Sequence, residues 1–138
     1  MNEFPHEHEA LRIMRRRGMP LWARNIVATV SELHRQDMAD VIGRSRKRKH
    51  VSARNEAWYI LRTTPSPVLK TTPSYMQIGR WFGRDHSSII FGACHHALEN
   101  SLPSPSGVDP EKLVLRKRHR AIEWWAQKNA DRSERIAA

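Results

Sequence analysis

The stretch YMQIGRWFGRDHSSII, residues 75–90, reads as two short helical segments parted by a glycine, and it decides the fold. Ser74 stands just before it with Gln77 three residues on, the spacing of a capping box, so a helix opens here. Ile78 and Phe82 fall on one face of that helix, with Tyr75 or Met76 beside them, and Gly83 ends it. After Arg84 and Asp85 a further helix reads over 86–100, with Ile89, Ala93 and Ala97 on its inner face. Two helices of this size around a glycine corner have the dimensions of a helix-turn-helix. A purely structural hairpin needs one cap residue at its corner. Here Arg84, Asp85, His86, Ser87 and Ser88 are hydrogen-bonding residues in a row, placed where a recognition helix presents its first turn to base edges.

Upstream, TTPSPVLKTTP (63–73) holds three prolines and reads as an extended connector rather than a strand. The helix before it runs from Ser52, with Ala53, Ala57, Ile60 and Leu61 on one face, and does not pass Pro65. RSRKRKH (44–50) packs five basic residues into positions 44–49. Asp37 caps a short helix carrying Met38, Val41 and Ile42, which Gly43 ends. Before that, Trp22, Ile26, Val30 and Leu33 recur at helical spacing. Residues 1–20 carry Arg12, Arg15, Arg16 and Arg17 and read either as a short helix over 7–17 or as a mobile basic arm; we assign them as an arm. Downstream, 101–108 is a linker by composition. Asp109, Pro110 and Glu111 then open a C-terminal helix over 109–138, which carries the run Arg116 to Arg120 and the pair Trp124 and Trp125. The expected fold is all-α, a compact helical domain over 21–100 with a helix-turn-helix, plus that additional C-terminal helix.

Charge narrows the partner. Lys and Arg number 24 against 14 Asp and Glu in 138 residues, a net +10, which implies a polyanion, and nucleic acid is the usual one. No apolar run approaches the roughly 18 residues of a membrane span. The N-terminus lacks a signal-peptide stretch, and the single cysteine, Cys94, fits a reducing cytosol; a cytoplasmic, nucleoid-associated protein is expected.

Ile78, Gly79, Phe82, Arg84, Asp85, His86, Ser87, Ser88, Ile89 and Ile90 together resemble the signature of the C-terminal DNA-binding domain of the bacterial replication initiator DnaA. The similarity covers about residues 22–100. It implies that Asp85, His86 and Ser87 enter the major groove and read bases, with Ser88 on a phosphate or a thymine methyl. Arg84 would steady the backbone, and Arg54 would hold a phosphate. One arginine of the basic loop, Arg46 or Arg48 flanking Lys47, would reach into the adjacent minor groove. The residue chemistry agrees: Asp accepts from base amino groups, His donates to guanine or thymine acceptors, and Arg suits a narrow minor groove. Four features depart from the family pattern. Only one glycine precedes Arg84, Ser87 and Ser88 replace the commoner Thr, the connector is long, and His95 and His96 stand where Arg and Lys are usual.

The partner is therefore expected to be double-stranded DNA, and the C-terminal helix is expected to serve a homodimer or a protein partner through a tryptophan. No phosphate-cradling G-x-x-x-x-G-K-[ST] loop is present, so a stand-alone module without nucleotide is expected. Neither catalysis nor a cofactor is expected. A metal is not expected either, because the consecutive Cys94, His95 and His96 point in different directions on a helix. Three roles fit: a bacterial or phage transcriptional regulator, a replication accessory or competitor at origin sites, or a non-specific nucleoid- or RNA-binding protein.

Overall fold

A computed structural model describes residues 6–105, 122–124 and 126–130. Six helices occupy the first of these stretches: α1 (Glu7–Arg16), α2 (Leu21–Leu33), α3 (Met38–Ile42), α4 (Arg48–Thr63), α5 (Tyr75–Phe82) and α6 (His86–Glu99). Among the described residues there is no strand.

The longest helix, α4, is the spine against which α2, α3, α5 and α6 pack. It buries Ala53, Ala57, Trp58 and Leu61, which contains most of the expected stripe; Ile60 is only partly buried. The helix starts at Arg48, ahead of the expected Ser52. Against it, α6 buries Ile89, Ala93 and Ala97 as expected. Gly92 sets how close these two helices come. A Cβ there would lie 2.4 Å from the Trp58 ring, so a larger residue would force them apart. Trp58 in turn meets Phe82 of α5 edge-on at 5.8 Å, which ties the helix-turn-helix to the spine.

The local signals around α5 and α3 work as their chemistry dictates. Ser74 Oγ accepts from the Gln77 amide at 3.1 Å, and Gly83 closes α5 in the left-handed region at φ 62°. Asp37 accepts from the Ala39 amide at 3.0 Å. The connector is neither strand nor wholly extended: the Ser66 amide donates to the Thr71 carbonyl, and the Lys70 amide returns to Ser66.

Two expectations are corrected. The stripe of α2 is rotated: Ala23, Val27 and Val30 are buried, Trp22 and Ile26 form half-buried shoulders, and Leu33 is 72% exposed. The smaller side chains take the tight seam, while Trp22 turns edge-on to Trp81 of α5 at 6.1 Å. Within the stretch 1–20 assigned as a basic arm, residues 7–16 form the helix α1, the other reading of this stretch, packed on α3. Ala10 and Met14, four apart, are fully buried, and Met19 beyond Gly18 is buried too. Apolar burial outweighs charge repulsion here because Arg12, Arg15, Arg16 and Arg17 all stay on the solvent side. Acidic Glu7 and Glu9 in the first turn and basic Arg15 and Arg16 in the last also suit the helix dipole.

After α6 residues 102–105 are not helical, and the Tyr59 hydroxyl donates to the Pro103 carbonyl at 2.9 Å. Of the expected C-terminal helix, 122–124 and 126–130 are helical, with Trp124 about half exposed. The rest of it, the run 116–120 included, lies outside the described residues, as does the end of the expected linker.

Candidate nucleic-acid interface

The corner between α5 and α6 is tight because glycine permits it. Gly83 supplies the left-handed turn, and the Arg84 amide then reaches back to the Gly79 carbonyl at 2.8 Å. A Cβ on Gly79 would lie 2.6 Å from the Arg84 carbonyl oxygen, so Gly79 is required for the chain to fold back this closely. Gly83 directly ahead of Arg84, together with Gly79, closes the corner.

Beyond it, Asp85, His86, Ser87 and Ser88 are all exposed at the N-terminus of α6. Asp85 occupies the N-cap position, yet its carboxylate makes no cap hydrogen bond and lies 3.1 Å from His86 Nδ1. These side chains are spent neither on the core nor on the cap. The first-turn amides and the positive end of the helix dipole lie beside them, a setting that favours an anion.

The basic loop sits against this corner. The Arg84 guanidinium donates to the Gly43 carbonyl at 2.7 Å, and the Arg44 guanidinium donates to the Gly83 carbonyl at 3.2 Å. Arg46 lies in the loop, while Arg48 opens α4; both are exposed, as is Lys47. Between loop and helix lies an open cavity of about 360 Å³ lined by Arg44, Arg46, Arg54, Arg84, Ser88 and His95, among others. Burial, then the nearby charges of Arg44 and Arg46, pull the Arg84 pKa below its usual value. Positive charges are thus crowded together, and an anion entering the cavity would relieve the repulsion.

Arg54, expected to hold a phosphate, is buried at the base of the basic loop. It is only 3% exposed, and Nε, Nη1 and Nη2 donate to the carbonyls of Val41, Ser45 and Asp40 at 2.8, 3.0 and 2.9 Å. Burial first, then Arg84, lowers its pKa to about 10, against an opposing pull from Asp40. The last-turn carbonyls of Asp40 and Val41 in α3 and that of Ser45 beyond it have no helical partners, and this guanidinium supplies them, so Arg54 shapes the loop.

Sequence reasoning counted Arg44 in the basic run without giving it a role. His95 was weighed as a replacement and as a metal ligand, and nothing in its spacing showed that it faces the arginines. Its neighbours diverge: Cys94 is fully buried, and His96 packs against the Tyr59 ring at 5.3 Å. Burial lowers the His96 pKa, with Glu56 and Glu99 opposing and His34 adding to the shift.

The family model described as the bacterial dnaA protein helix-turn-helix matches residues 23–96, more than half of the chain. The chain belongs to this family. No curated protein and no solved structure gave a match. The DnaA-type domain binds double-stranded DNA, and its second motif helix here is α6. Among the described residues, no helix is long and apolar enough to cross a membrane.

Proposed function

We propose that this DnaA-type domain recognises a specific double-stranded DNA sequence and acts as a bacterial or phage transcriptional regulator. The observation that carries the reading is the exposed polar set Asp85, His86, Ser87 and Ser88 at the start of α6, clasped beside the basic segment of Arg46, Lys47 and Arg48. In this reading Asp85, His86 and Ser87 contact base edges in the major groove, and Ser88 contacts a phosphate or a thymine methyl. Arg46, which shares the cavity with Arg44 and Arg84, takes the minor groove, while Lys47 and Arg48 add backbone contacts.

Selection of bound duplexes from a random pool, followed by footprinting on promoter and origin DNA, tests this. A defined site found at promoters supports regulation. The kinship of the reader segment with an initiator favours a second reading, in which the same contacts serve a replication accessory; occupancy confined to origin sites would select it. Equal binding to every duplex and to RNA would overturn sequence reading altogether.

A further inference from the structure

We propose that Arg84 and Arg44, underpinned by Arg54, are positioning residues that lock the basic loop and the reader helix at one fixed separation. The domain then reads its two DNA segments as a single unit of fixed spacing.

The clasp is reciprocal. Arg84, on the reader's corner, bonds the carbonyl of Gly43 at the base of the loop, and Arg44, in the loop, bonds the carbonyl of Gly83 in the corner. Each arm therefore anchors the other's backbone, not its side chain. Two crossing bonds between two short segments resist sliding and hinging, which one bond would not.

Arg54 holds the other side of the loop. Its three bonds reach residues 40, 41 and 45, which bracket the position where Arg84 attaches. The loop is thus pinned before, at and after Gly43. Gly79 completes the device by letting the Arg84 backbone fold against α5.

Function enters through what the pinned segments carry. Arg46 lies two residues beyond Arg44, and His86 two residues beyond Arg84. Holding Gly43 to Gly83 therefore fixes the distance between the minor-groove and major-groove contacts. A flexible loop would tolerate variable spacing and would lose entropy on ordering when it bound DNA. A pinned loop does neither.

This inference rests on the DNA reading proposed above, and the experiment separates the two. Sites are selected from a random duplex pool with the wild type, Arg84→Ala, Arg44→Ala and Arg84→Lys, with thermal melts confirming that each variant is folded. The wild type should lose at least about ten-fold in affinity when one base pair is inserted between the two contacted segments. In Arg44→Ala and Arg84→Ala, preference at the loop-contacted positions should flatten while preference at the reader positions persists, and the inserted site should no longer be discriminated. Arg84→Lys, which keeps a donor for Gly43, should restore part of the loop preference. A wild type with no preferred site would overturn the DNA reading itself. A preferred site with uniform loss at all positions in the variants would make these arginines simple phosphate ligands and overturn the clasp. Arg44→Ala alone decides the matter if Arg84→Ala does not fold, because the Arg44 bond is exposed at the surface.

Discussion

Replacing Arg54 by Ala should cost stability before it costs affinity. Three hydrogen bonds from a charged donor are lost, each contributing about 1.5–3 kcal/mol, so the gross loss is about 4–9 kcal/mol. Two terms offset it. The folded state no longer holds a cation whose pKa burial lowers to about 10, which returns about 3 kcal/mol at 1.36 kcal/mol for each pKa unit. The freed carbonyls also lie beside an exposed loop and regain water. The net is about 1–6 kcal/mol before that rehydration, a fall of several degrees or more in Tm for a domain of this size. Urea denaturation followed by tryptophan fluorescence reads it directly, and Arg54→Lys, which keeps the charge but not the fork, should fall between. An unchanged denaturation midpoint in Arg54→Ala, with binding weakened on all duplexes and the salt slope flattened by about one unit, would refute the reasoning and return Arg54 to phosphate.

His86→Ala or Asp85→Ala should lower binding to the selected site by about 1–3 kcal/mol and leave random duplex nearly untouched, as measured by competition titration. Arg46→Ala should reduce the slope of log K against log salt by about 0.9 and flatten preference at the loop-contacted positions, whereas Arg48→Ala should change the slope alone. The third expectation concerns pH. Burial lowers the folded-state pKa of His96 below 6.5, so the unfolded chain binds more protons between the two values. Stability is full above about pH 6.5 and declines as pH falls through it, and His96→Gln should remove that part of the decline in denaturation midpoints taken at roughly pH 7.5 and roughly pH 5.5.

Local chemistry made the helix-turn-helix legible. Ser74, Gly83 and Asp37 act through bonds within four residues of themselves, so their spacing is enough to place them. The exposed polar set Asp85, His86, Ser87 and Ser88 was legible too, because four such residues in a row at one corner exceed what a helix cap needs. Long-range choices were not legible. Whether α2 would turn Trp22 or Ala23 to the core depended on α4 and on Trp81, which lies about sixty residues away in sequence. Arg54 looked like a surface cation, since nothing near it in sequence shows that carbonyls 40, 41 and 45 would converge on it. The N-terminal arginines drew attention to charge and away from Ala10 and Met14, whose four-residue spacing was the better guide.

Because α1 is folded onto α3, and Arg17 donates to the Trp81 carbonyl at 3.4 Å, the exposed Arg12, Arg15 and Arg16 travel as a rigid charge distribution. A tethered arm would gain its contacts only after encounter and would lose chain entropy in settling on the duplex. Fixed charges act earlier. Their field reaches DNA from about one Debye length, ~10 Å at 0.1 M salt, and turns the approaching domain at no ordering cost. The contribution of these arginines therefore belongs to how fast DNA is captured, and less to how long it is held.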